Sequence, residues 1–172
     1  MRLLIPVLLS LTCLQAGAET STLVRAVEIV GYGIFTAREK VRVQPSTADA
    51  PGADGVKGVT FTEYTTEIPA VLGTSFGIQY LINSSPKGGG MKVTCVILFP
   101  DAGLVDPRGR IYKKSTETIT SRIGRKSLYG YGFDEPWELV PGEWVFQIWH
   151  KGARLAQKKF TVLPPGPVAE TS

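Results

Sequence analysis

Leu139-Val140-Pro141-Gly142-Glu143-Trp144-Val145-Phe146-Gln147-Ile148-Trp149-His150-Lys151-Gly152 reads as a turn, a strand and a second turn. Pro141-Gly142 is a turn signal. From Glu143 to His150 the side chains alternate, with Trp144, Phe146 and Ile148 on one face and Val145, Gln147 and Trp149 on the other. That is the period of a strand. Lys151-Gly152 then predicts a hairpin onto a last strand, 153–163. There Ala156, Phe160 and Val162 share a face while Leu155 is out of phase, so a bulge is expected near it. A strand that carries Trp144 and Phe146 on one face needs a second layer to cover them. Their burial should contribute several kcal/mol, at about 25 cal/mol per Å² of apolar surface.

The same period recurs upstream. Leu23 to Thr36 predicts a first strand, bent or bulged at Gly31 and Gly33. Residues 44–58 read as a polar loop, and the β-branched run Val59 to Ile68 as a second strand. Ser75 to Ile82 alternates, with Phe76, Ile78, Tyr80 and Ile82 facing one way. Lys92 to Phe99 is apolar on both faces, which places it centrally, and the Thr-rich Ile111 to Ser121 suits an outer strand. Ser127 to Phe133 sets Tyr129, Tyr131 and Phe133 on one face. No helical period of useful length interrupts this series. The expectation is an all-β, immunoglobulin-like antiparallel β-sandwich of about 7–8 strands, filling residues 19–163.

Ahead of it, Arg2, the apolar run Leu3 to Leu14 and Ala16-Gly17-Ala18 have the order of a cleavable secretory signal peptide, so residues 1–18 are expected to be removed. The run is shorter than the ~20 residues that span a bilayer. An acylated Cys13 is the rival reading, but Ser10 and Thr12 do not suit that processing. The address implied is periplasmic or secreted. With Cys13 gone only Cys95 remains, inside an apolar strand, and it reads as a buried small hydrophobe. The proline-rich residues 164–172 are expected to form a disordered tail.

Net charge is +4, and loss of Arg2 with the leader lowers it by one. This mild excess gives no reason to expect nucleic acid. The basic residues nevertheless cluster: Arg108, Arg110, Lys113, Lys114, Arg122, Arg125 and Lys126 share one stretch opposed only by Glu117. Such a run fits a patch for an anionic envelope polymer, lipopolysaccharide or a wall polymer. The ordinary alternative is a strand pair with its charges in solvent.

Several pieces carry a resemblance. Residues 68–77 (Ile-Pro-Ala-Val-Leu-Gly-Thr-Ser-Phe-Gly), Pro107-x-Gly109, Pro136-Trp137-Glu138-Leu139-Val140-Pro141-Gly142 with the strand that follows, and Phe160-x-Val162 resemble a family of short bacterial exported domains catalogued only as a domain of unknown function. The likeness covers roughly residues 24–163. It implies a bacterial source and an envelope address, and transfers no functional residue.

Catalytic patterns fail on context. Gly73-Thr74-Ser75-Phe76-Gly77 fits G-x-S-x-G, with Asp134 and His150 following in hydrolase order. The serine elbow needs a helix after it, and here a strand follows. A small hydrolase using Ser75 therefore stays a remote alternative. One histidine and one cysteine make no zinc site. Asp134, Glu135 and Glu138 lack calcium-loop spacing, so no metal or other cofactor is expected. Trp137 lies in a corner, and Trp149 points opposite to Trp144, where it could stack on a sugar or anchor a partner. The sequence thus points to a non-enzymatic module that binds an envelope protein or glycan, with Trp149, Trp137, Arg122, Arg125 and Lys126 as candidate contacts. A structural or chaperone-like accessory that uses an open sheet edge is the alternative.

Overall fold

The computed structural model describes residues 27–37, 39–41, 55–57 and 59–165. The leader, Cys13 and all of the tail beyond 165 lie outside these residues. Among them the strands are β1 (Val27–Thr36), β2 (Glu39–Val41), β3 (Gly55–Lys57), β4 (Thr60–Glu63), β5 (Glu67–Pro69), β6 (Ser75–Ile82) and β7 (Gly90–Leu98). Then come β8 (Leu104–Val105), β9 (Ile111–Tyr112), β10 (Lys114–Arg122), β11 (Lys126–Gly132), β12 (Gly142–His150) and β13 (Ala153–Leu163). The helical content of the described residues is one 3₁₀ turn, Pro136–Glu138.

Two sheets form the body, with strand orders β11-β6-β1-β4 and β10-β7-β12-β13-β5. All their pairings are antiparallel except β5 on β13, which is parallel. β12 and β13 pair as expected, and the register steps from Ile148–Ala156 to Trp149–Arg154, so Leu155 is the extra, bulged residue. The bulge turns Leu155 inward, where it is buried with Ile148 and Phe160. β10 is an outer strand and β7 lies inside the sheet, each as its composition predicts.

The inner faces meet in a layer of aromatics. Phe76 packs edge-on against Trp144, Phe146 and Phe160 at centroid distances of 5.7, 5.5 and 5.4 Å. Tyr131 and Phe133 close on Trp144 at 5.0 and 5.7 Å. Edge-to-face rings add about 0.5–1.5 kcal/mol per pair beyond their burial, so this layer is the main adhesive between the sheets. The Trp144 indole N–H, which would be costly to leave unpaired in such a place, donates to the Val140 carbonyl at 3.1 Å.

Three segments depart from the sequence reading. The run 59–68 is not one strand: β4 pairs with β1 in the first sheet, and β5 pairs with β13 in the second. The chain changes sheets at Tyr64–Thr66, where the Glu67 amide donates to the Thr65 hydroxyl at 3.0 Å and the Thr161 amide to the Thr66 carbonyl at 2.8 Å. Gly33 permits the crossing, because a Cβ there would overlap the Glu63 carbonyl. The run 111–121 is split at Lys113 into β9 and β10, and β9 folds back on β8. Finally, β3 lies within the stretch 44–58 that read as loop, and it pairs with β2 just ahead of that stretch in a small ribbon.

Candidate binding site

The basic stretch is not one patch. β10 runs through it and carries its two halves to opposite ends of the sandwich, about 27 Å apart at ~3.4 Å per strand residue. Arg108, Arg110, Lys113 and Lys114 stay at the end that holds the β8–β9 hairpin, whereas Arg122, Arg125 and Lys126 form the β10–β11 turn. Glu117 does not oppose them: it points inward beside Cys95 and is 8% exposed.

At the β10–β11 turn the topology adds cations from other segments. The β6–β7 connection is tied to it through Gly88 N to Ile123 O at 2.9 Å and Ile123 N to Gly89 O at 2.8 Å. That connection brings Lys87, whose stem lies 3.6 Å from where a Cβ on Gly124 would sit. Lys92 follows on β7, and its carbonyl is 2.7 Å from His150 Nδ1. Lys151 and Arg154 come from the β12–β13 hairpin. Every one of these lysines and arginines is exposed. Among the described residues, the carboxylate at this end is Glu28, which accepts from Asn83 at 3.2 Å. Sequence reading reached three of these cations and missed Lys87, Lys92, Lys151 and Arg154. They lie in separate segments, and only the strand order gathers them.

Trp149 stands next to this end, on the outer face of the five-stranded sheet. Three rows cross β10, β7, β12 and β13 there. Thr118, Thr94, Trp149 and Arg154 form the first, Thr116, Val96, Gln147 and Gln157 the second, and Lys114, Leu98, Val145 and Lys159 the third. Trp149 is half-buried; its N–H donates to Gln147 Oε1 at 2.9 Å, and the Arg154 guanidinium stands 6.0 Å from its ring centroid. Gln147 in turn donates to Gln157 Oε1 at 3.0 Å. Trp137 is elsewhere. It sits on the 3₁₀ turn at the opposite end, half-buried, with its ring 6.3 Å from that of Tyr112. The strand order places Trp149 towards the same end as Arg122, Arg125 and Lys126, four residues along the sheet from the Arg122 position, and Trp137 at the opposite end.

The remaining polar groups hold structure. Glu138 is 2% exposed and accepts from the Tyr131 hydroxyl at 2.9 Å and from the Asp134 and Glu135 amides at 2.7 and 2.9 Å. Burial pushes its carboxyl up, and those three donors pull against the shift. Asp106 collects the Arg108 and Arg110 amides, the Arg110 guanidinium and the Tyr112 hydroxyl. Desolvation works to raise the Asp106 carboxyl, but the donors outweigh it and hold it down at about 2. Inside the sandwich, burial pushes the Cys95 thiol up to about 12, which suits an inert core residue. Tyr80 bonds Ser121 at 2.6 Å, whereas the buried Tyr129 hydroxyl has no partner.

Ser75 and His150 do not meet. Ser75 opens β6 at the β8–β9 end, and His150 closes β12 at the cationic end. No cluster of three or more metal-ligating side chains occurs among the described residues. In addition, none of their helices is long and apolar enough to cross a membrane.

Two facing sheets with a Trp-centred core, a terminal hairpin and a sheet-switching early strand define an immunoglobulin-like β-sandwich. A solved immunoglobulin-like protein from Pseudomonas aeruginosa is similar, with a TM-score of 0.54 and 29% identity over 80% of this chain and 96% of that one. The chain belongs to the family described as "Domain of unknown function (DUF3859)", which matches residues 23–162. No curated protein matches it.

Proposed function

We propose that this is an exported, non-catalytic module that holds an anionic glycan of the bacterial envelope at its cationic end. The observation that carries the reading is the convergence of Lys87, Lys92, Arg122, Arg125, Lys126, Lys151 and Arg154 from separate segments onto one end where Glu28 is the carboxylate among the described residues. A polar sandwich surface normally mixes both signs, and the opposite end does so, with Asp101, Asp134, Glu135 and Glu143 among its lysines and arginines. The leader read from the sequence would deliver the chain to a compartment rich in acidic polysaccharide.

Titration of residues 19–172 with lipopolysaccharide and with purified wall polymer tests the proposal. Binding should weaken steeply between about 50 and 200 mM salt, as counterion release requires. Replacing Arg122, Arg125 and Lys126 together by glutamate should weaken it at least tenfold, whereas Arg108→Glu at the far end should leave it near wild type. Equal affinities for the triple variant and wild type would overturn the reading, as would no binding at low salt.

A further inference from the structure

Resting on that reading, we infer that the outer face beside the cationic end is a seat for sugar rings, so that the ligand is a polysaccharide whose rings lie on the Trp149 row while its anionic groups reach the rim. Trp149 shares that row with Thr94 and Arg154, and the hairpin joins the row directly to Lys151 on the rim. A sugar ring needs an apolar plate beside fixed hydrogen-bonding groups. The plate is the half-buried indole, which cannot swing freely because its N–H is held by Gln147.

The fixed polar groups are the amide chain and the hydroxyl pair. Gln147 Oε1 is used by Trp149 and Gln147 Nε2 by Gln157 Oε1, which leaves the exposed Gln157 amide nitrogen directed by a partner that is itself held. Thr94 and Thr118 hydroxyls lie 3.3 Å apart on the same row. At about 4.8 Å between strands and ~6.8 Å between rows, the two rows cover an area on the order of 14 by 7 Å. A pair of linked sugar rings matches that footprint. Charge complementarity selects an acidic polysaccharide over a neutral one, since Arg154 closes the row and the lysines continue past it.

The test compares alginate, which has rings and charge, polyphosphate, which has charge alone, and dextran, which has rings alone. Wild type should bind alginate about tenfold more tightly than polyphosphate of equal charge, the size of one aromatic contact, and dextran weakly. Trp149→Ala should lose the preference for alginate while it keeps polyphosphate binding and its salt dependence; Trp149→Phe should restore most of the preference. Unchanged melting temperatures of both variants secure the comparison. If Trp149→Ala keeps the preference, or wild type shows none, the ring seat is overturned and the cationic end stands. Loss of neither polyanion in the Arg122, Arg125 and Lys126 reversal would remove the reading on which the seat rests.

Discussion

Glu138→Ala should cost this domain a large part of its stability. The Glu138 carboxylate is almost fully buried and satisfies the Tyr131 hydroxyl and the amides of Asp134 and Glu135. Alanine removes the acceptor and leaves three donors behind. A buried donor left unpaired costs about 1–3 kcal/mol. Water entering the vacated space recovers part of this, so the net loss should be about 3–5 kcal/mol. Domains of this size have about 5–15 kcal/mol to lose.

The damage should extend past the turn. Tyr131 packs on Trp144 and Phe99, and Trp144 donates its indole N–H to the carbonyl of Val140, two residues after Glu138. Glu138→Gln provides the contrast. Its amide oxygen can face the two backbone amides while its NH₂ donates to the Tyr131 hydroxyl, which reverses its role. Charge assistance is lost and the Tyr131 O–H gives up its acceptor, together about 2–3 kcal/mol. Urea unfolding followed by tryptophan fluorescence should give midpoints in the order wild type, Gln, Ala with a common slope. An alanine variant within about 1 kcal/mol of wild type would refute the view that this carboxylate clamps the turn.

Two further perturbations probe the body of the sandwich. Burial alone pushes the Glu117 carboxyl up, so in the fold it holds its proton more readily than in the unfolded chain; that contribution is complete below the unfolded value near pH 4.3 and is lost as pH rises through the folded value. Glu117→Gln should therefore melt a few degrees above wild type at pH 7, with the gain closing towards pH 4, and a gain independent of pH would contradict this. Gly77→Ala would place a Cβ 2.5 Å from the Gly130 Cα and against the Tyr129 carbonyl; forcing β11 off β6 should cost about 2–4 kcal/mol, and a melting temperature equal to wild type would show that the sheet yields there.

How far the sequence could be read depended on whether a residue's role was local. The β12–β13 hairpin was legible because Trp144, Phe146 and Ile148 keep strict period, and Leu155 announced its bulge by breaking it. The sheet switch at Tyr64–Thr66 was not, because a run of threonines satisfies strand propensity on either sheet and the bonds that stop it come from Thr161, far along the chain. Glu117 looked like a surface charge because neighbours in sequence suggested it; its inward direction follows from pairing with Cys95. Trp149 and the β10–β11 cations were visible singly. That they lie towards one end, and that Lys87 and Arg154 arrive there too, follows only once strand order is fixed.

The two ends of the molecule differ in what their polar groups do, and this separates stability from binding. At the β8–β9 end, Glu138 and Asp106 each tie several backbone amides, and Trp137 braces Tyr112. Side chains there are committed inward. At the cationic end the lysines and arginines are exposed on tight turns whose geometry is set by main-chain bonds such as Gly124 N to Ile82 O at 2.9 Å. A turn held by its backbone accepts exchange of its exposed side chains with little effect on folding, usually within about 0.5 kcal/mol. Charge reversal at Arg122, Arg125 and Lys126 can thus alter what the surface attracts while the aromatic core between the sheets stays as it is, the condition under which one sandwich scaffold can carry a binding surface at its rim.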